Sequence, residues 1–170
     1  KKICPITYMN SSAAIKAFCG ENGGAVSTSS NNKSVFEWGF EQGFEKILFF
    51  PDQHLGRNTA FFQMGIPIDE IVLFDQTKGG TGGLTKEQIT KAKIILWRGH
   101  CSVHQHFQPS HPDIMRALYP GIKVIVHPEC MFEVVEKADL VGSTAFICKT
   151  VDAAEPGSLW AIGTEHHLVN

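Results

Sequence analysis

The segments KILFF (46–50), IILW (94–97) and KVIV (123–126) are apolar at nearly every position. A strand of that composition has to be covered on both faces, which is how the strands of parallel sheets read. Five further short runs, at 6–8, 24–27, 71–74, 140–142 and 159–162, punctuate the chain in the same way. Between the runs lie helix-length stretches at 11–19, 32–42, 55–64, 86–93, 110–118 and 130–137, each preceded by a residue able to cap a helix. Alternation of strand and helix predicts an α/β protein built from three-layer αβα units with short parallel sheets.

Part of the chain is duplicated. The stretch ITYMNSSAAIKAF followed by GAVSTSS resembles VIVHPECMFEVV followed by ADLVGSTAF in element order and in the placement of polar residues. Each copy reads strand, polar residues, helix, strand, Ser/Thr cluster, and Asn10 of the first lies opposite Glu129 of the second. The expected division is one αβα unit over 1–99 and a second over 100–170. The chain opens on Lys1 rather than Met and stops soon after an apolar run, so it reads as a piece of something longer.

Charge and cysteine content narrow the partners. With 15 Lys+Arg against 17 Asp+Glu, the chain has no basic surplus with which to grip a phosphate backbone or anionic lipid. No apolar run approaches the ~18 residues of a membrane span. Neither nucleic acid nor membrane is expected as a partner. Five cysteines at irregular spacing, with no secretory pattern ahead of them, argue for a reducing, cytoplasmic compartment rather than a disulfide framework.

In open parallel sheets, ligands sit beyond the carboxyl ends of the strands. The residues expected there are Tyr8 and Asn10, Thr28 and Ser29, Asp52 and His54, Cys101 and His104, His127 and Glu129, Ser143 and Thr144, and Thr164 and Glu165. Cys101 follows the strand IILW directly, where a thiolate can serve as a metal or cluster ligand; the competing reading is a small buried hydrophobe, the expected role of Cys4, Cys19, Cys130 and Cys148. The C-x-x-H spacing of Cys101 and His104 lacks a second pair that would complete a structural zinc site. His127 and Glu129 form an imidazole–carboxylate pair suited to proton transfer, unless Glu129 merely caps a helix starting at Cys130. The hydroxyls of Ser29, Ser143 and Thr144 can hold an anion or simply cap helices. The tract KGGTGG (78–83) has its lysine ahead of the glycines, in the wrong order for a phosphate-binding loop, and is expected to be a flexible surface connection.

Taken in order, PITYMNSSAAIKAFCG, GAVSTSSN, FFPDQHLGRNTA, LWRGHCSVH, YPGIKVIVHPEC, ADLVGST and GSLWAIGTE closely resemble the quinolinate synthase family over essentially the whole chain. The resemblance implies three αβα domains related by pseudo-threefold symmetry, of which this chain holds two. It implies a [4Fe-4S] cluster held by one Cys from each domain, with one iron open as a Lewis acid. It further implies condensation of iminoaspartate, supplied by an aspartate oxidase, with dihydroxyacetone phosphate to give quinolinate, phosphate and water in de novo NAD biosynthesis. By motif, Cys101 matches a cluster ligand. Tyr8, His104 and Glu129 match catalytic residues, and Tyr8, Asn10, Ser29, His104, His127, Glu129, Ser143 and Thr144 match substrate contacts.

The chain departs from that pattern in lacking the regions that carry the other two cluster cysteines, since Cys4 and Cys148 stand in different contexts. Only one of three expected ligands is present, so the 170 residues alone are expected to be inactive. His166 and His167 stand where a less basic pair is expected. The alternative to a carbon–carbon bond-forming synthase is a non-catalytic αβα module that binds dicarboxylate or phosphate. A hydrolase using His127, Glu129 and a single metal is a third reading.

Overall fold

A computed structural model describes residues 3–168 and divides the chain into two compact units, Lys1–His100 and Cys101–Asn170. The first contains β1 (Ile3–Tyr8), α1 (Ala13–Glu21), β2 (Ala25–Ser27), α2 (Asn32–Glu41), β3 (Lys46–Phe50), α3 (Gln53–Asn58), β4 (Ile71–Phe74), α4 (Lys86–Lys91) and β5 (Ile94–Trp97). Its five strands pair in the order β2-β1-β3-β5-β4, and every pairing is parallel.

Both faces of this sheet are buried, as its apolar strands require. Cys4, Ile6, Ile47, Phe49, Ile94 and Leu96 point to one face, where Phe36 of α2 and Leu55 of α3 complete the largest core. The intervening Val72 and Ile95, with Leu48, turn to the other face and pack with Ala92 and Leu84. Helix α3 lies so close to the sheet that a Cβ on Gly56 would come within 2.5 Å of both Leu96 and Phe49 side chains. At the loop into β2, a Cβ on Gly24 would stand 1.7 Å from the Pro5 carbonyl oxygen, so the backbone itself excludes any other residue there.

The second unit contains α5 (His111–Leu118), β6 (Lys123–Val126), α6 (Phe132–Lys137), β7 (Leu140–Val141), α7 (Thr144–Asp152) and β8 (Trp160–Gly163). Its strands pair in parallel in the order β7-β6-β8. Val124 and Val126 pack with Val134 and Val135 of α6 on one face; Ile125, equally buried, points to the other.

The duplication seen in the sequence is a duplication of topology. In each unit the first strand lies between the second and the third, β2-β1-β3 in one and β7-β6-β8 in the other. Thr7 pairs with Phe50 as Val126 pairs with Gly163. Tyr8 and His127 therefore stand one residue beyond equivalent rungs.

Two expected helices are revised. The stretch 55–64 is not one α-helix: α3 starts earlier, capped by the Asp52 carboxylate accepting the Leu55 N–H at 2.8 Å, and runs into a π-helical turn over Thr59–Gln63. That wider turn accompanies a buried link in which the Asn32 amide donates to the Thr59 hydroxyl at 3.0 Å, while the Ser27 hydroxyl donates to the Asn32 carbonyl at 2.7 Å. Helix α6 begins at Phe132 rather than at 130. The glycine tract 79–83 forms a turn in which Gly79, Gly80, Gly82 and Gly83 all have positive φ, a conformation other residues rarely adopt.

The Ser27–Asn32–Thr59 link ties β2, α2 and the π turn together without solvent. Asn32→Ala should lower the unfolding free energy by ~2 kcal/mol, because two buried hydroxyls lose their partner. Ser30→Ala on the exposed turn nearby should stay within ~0.5 kcal/mol. Urea unfolding of the two variants checks this, and equal midpoints would show that the link contributes nothing.

Candidate functional site

The second unit gathers four of the expected residues. Strand β6 ends at Val126, and its backbone register is carried one step further by the His127 N–H donating to the Gly163 carbonyl at 2.9 Å. The following turn, closed by the Cys130 N–H to the His127 carbonyl at 3.0 Å, folds Pro128 and Glu129 inward. His127 and Glu129 are 3% and 6% exposed. From the other side comes the segment after β5, where a 3₁₀ turn over His104–His106 buries the His104 ring. Cys101, half-buried, precedes that turn, and the Gln105 N–H donates to its carbonyl at 3.3 Å.

The imidazoles of His104 and His127 stack, with centroids 4.8 Å apart and planes 24° from parallel. Glu129 Oε2 lies 3.2 Å from His127 Nδ1 and 3.7 Å from His104 Nδ1. One ligand atom from each of Cys101, His104 and Glu129 falls within 4.8 Å of the other two. Among the described residues neither ring nitrogen of His104 makes a hydrogen bond, although both are buried.

Burial sets the charge state of the two rings. Desolvation holds the His104 imidazole down to about 4. Desolvation first, and then the neighbouring His104, bring His127 to about 3. Both rings are thus neutral at pH 7. The Glu129 backbone N–H donates to His127 Nδ1 at 3.3 Å, so that nitrogen is an acceptor and the proton resides on Nε2. An acceptor nitrogen thus stands 3.2 Å from a carboxyl oxygen. Such an arrangement can relay a proton, and it can also bind a metal ion.

The capping alternative for Glu129 fails. Helix α6 has Met131 at its N-cap with no side-chain cap bond, and the Glu129 carboxylate is directed to the imidazoles instead. Ser143 does act as a cap, its hydroxyl accepting the Phe146 N–H at 3.4 Å, while Thr144 is exposed at the start of α7. In the first unit, Tyr8 is buried at the end of β1, Asn10 is exposed just beyond it, and Ser29 is half-buried in the turn after β2. Asn10, Ser29 and Thr144 make no side-chain hydrogen bond among the described residues.

The remaining strand-end residues and thiols have other fates. Asp52 caps α3, Thr164 is buried after β8, and His166 and His167 sit exposed on a 3₁₀ turn, their rings 5.8 Å apart. Cys4, Cys19 and Cys130 are fully buried, and burial pushes the Cys19 thiol up to about 11. The residue least legible in the sequence was Asn32. Its polar side chain at the start of a helix reads as a cap, whereas the structure makes it the hub of a buried network.

The model of the family described as quinolinate synthetase A protein (NadA) matches residues 1–170. A quinolinate synthase of Nocardioides sp. is 60% identical over 172 aligned positions, covering 98% of this chain and 43% of that protein. One of Acidobacterium capsulatum is also 60% identical, covering 100% of this chain and 45% of its own length. One of Rhodopirellula baltica is 52% identical, with 100% and 43% covered. The chain thus spans less than half the length of these curated relatives. No helix among the described residues is long and apolar enough to cross a membrane.

The neutral histidines make stability depend on pH. The unfolded chain protonates them as pH falls below about 6.5, while the folded chain resists until about 4 for His104 and about 3 for His127. Stability should therefore fall with falling pH across that window, each ring adding ~1.4 kcal/mol per pH unit. Urea unfolding at pH 7 and pH 5 should show a loss that His104→Gln with His127→Gln reduces. An unchanged loss in the double variant would mean that the rings are not held neutral.

Proposed function

The chain belongs to the quinolinate synthetase A protein family, and from that premise we propose that it is the portion of a quinolinate synthase carrying one cluster ligand and the proton-transfer residues. The reaction joins iminoaspartate to dihydroxyacetone phosphate and releases one phosphate and two waters as the pyridine ring closes. An aspartate oxidase supplies the imine, and the whole protein works in the cytoplasm. The observation that carries this reading is the convergence of Cys101, His104 and Glu129, with His127 stacked behind them.

The donor set fits the cluster that the family implies. Cys101 is a half-buried thiol outside the cores, beside buried imidazole nitrogens that make no hydrogen bond. It would hold one iron, and the other thiolates would come from parts of the protein outside these 170 residues. When bound, the cluster supplies a Lewis-acidic iron that polarises substrate oxygen or nitrogen. The 170 residues alone, with a single matching thiolate, are inactive in this reading.

The chain's own residues supply the proton chemistry. Ring closure requires tautomerisation and loss of two waters, so protons must leave carbon and reach departing oxygen. Glu129, in contact with two neutral imidazoles, takes and returns those protons. His104 is neutral and can donate one hydrogen bond to a substrate oxygen while its other nitrogen accepts. The phenol of Tyr8 orients intermediates and Asn10 offers an amide to substrate. The Ser29, Ser143 and Thr144 hydroxyls, with His127, hold carboxylate or phosphate groups.

In the full-length protein reconstituted anaerobically with iron and sulfide, Cys101→Ala should lose cluster absorbance and quinolinate formation together. Glu129→Gln should keep the cluster and lose 10²–10⁴-fold in kcat, the usual contribution of a positioned acid–base group. Retention of iron and activity by Cys101→Ala would overturn the ligand assignment. A colourless wild-type protein that still binds dicarboxylates would favour a binding module instead.

A further inference from the structure

We propose that Asn32 is a positioning residue for substrate: acting through Ser27, it sets where the Ser29 hydroxyl stands relative to Tyr8 and Asn10. The inference rests on the synthase reading, in which Ser29, Tyr8 and Asn10 contact substrate. Asn32, 1% exposed, acts only through them.

Two turns of the first unit meet at Ser27. Its carbonyl accepts the Met9 N–H at 2.8 Å, which carries the pairing of β1 with β2 past Tyr8 and fixes the backbone between Tyr8 and Asn10. Two residues after Ser27 comes Ser29, half-buried in the second turn. The Ser27 hydroxyl donates to the Asn32 side-chain oxygen at 2.7 Å, and the Asn32 amide donates in turn to the Thr59 hydroxyl at 3.0 Å. Ser27 and Thr59 are as deeply buried as Asn32, so each link is made out of contact with solvent.

The turn itself is shaped by the neighbouring exposed asparagine. The Asn31 side-chain oxygen accepts the Thr28 N–H at 2.7 Å and the Thr28 hydroxyl at 3.0 Å, and the Thr28 hydroxyl accepts the Ser30 N–H at 3.3 Å. Thr28 is thereby committed within the turn. Ser29, whose side chain makes no hydrogen bond among the described residues, keeps its hydroxyl for a ligand. Asn32 ties this preformed turn to the segment after α3. Only an amide serves both links, since its oxygen accepts and its nitrogen donates, whereas a carboxylate only accepts. A buried polar network with its bonds made fixes one arrangement, and the π turn that supplies Thr59 is a feature that recurs at functional sites.

The test uses the full-length protein, reconstituted anaerobically with iron and sulfide, and measures kcat and KM for each substrate. Ser29→Ala identifies the substrate that the hydroxyl holds by raising its KM. Asn32→Ala and the isosteric Thr59→Val should raise that same KM about tenfold, the scale of one hydrogen bond to a charged group, with cluster absorbance unchanged and kcat affected less than KM. A merely destabilised protein would instead lose active molecules, lowering kcat at unchanged KM. Thr59→Ser, which keeps the hydroxyl, should retain the wild-type KM. Because Asn32 acts through Ser29, Ser29→Ala combined with Asn32→Ala should be little worse than Ser29→Ala alone. Should Asn32→Ala not fold, Thr59→Val carries the test. Unchanged KM in folded Asn32→Ala or Thr59→Val, a Thr59→Ser protein as impaired as Thr59→Val, additive effects in the double variant, or wild-type KM values in Ser29→Ala would each overturn the inference while quinolinate formation, and the synthase reading with it, stands. A wild-type protein that forms no quinolinate would instead sink the synthase reading, and this inference with it.

Discussion

Every strand pair in both sheets is parallel, and from that constraint most of the molecule follows. A parallel neighbour cannot be reached by a tight hairpin, so the chain must return across a face of the sheet, usually as a helix. The returning segments cover both faces, which is why the strands tolerate so little polarity. The same constraint makes every strand of a sheet release its following loop at one edge. Residues that follow different strands of one sheet then collect at that edge with no need for long-range specificity.

The collected groups owe their chemistry to dryness as much as to identity. An exposed imidazole is divided between charged and neutral forms near pH 7, but His104 and His127 are held neutral because burial penalises their cations. Neutral rings beside a carboxylate offer lone pairs as well as N–H donors. The contrast with Cys4, Cys19 and Cys130 is instructive: those thiols are fully buried, and Cys4 and Cys130 pack in the two cores.

The sequence made much of this visible, for reasons that differ by element. Strands β3, β5 and β6 were legible because burial leaves a nearly unbroken apolar run, and each strand among the described residues overlaps one of the short runs. Helix ends were less so. A start at 55 was the wrong reading because Asp52, three residues before Leu55, supplies the cap, and the π turn has no local signature. That Cys101, His104, His127 and Glu129 follow strands was readable, because each comes soon after an apolar run. What stayed hidden was the stacking of His104 on His127, because those residues approach from different loops and no spacing rule joins them. The Asn32 hub was hidden for a similar reason, since its partners Ser27 and Thr59 lie 5 and 27 residues away.

The duplicated strand order has a further consequence. Tyr8 and Asn10 occupy the same places in the first copy that His127 and Glu129 occupy in the second. One backbone frame has thus been furnished twice, once with a phenol and an amide and once with an imidazole and a carboxylic acid. The first pair offers a phenol O–H and an amide, whereas the second offers a neutral imidazole and a carboxyl group. Such a frame lets the side chains at its two strand ends diverge independently after duplication, because altering one copy leaves the backbone of the other intact.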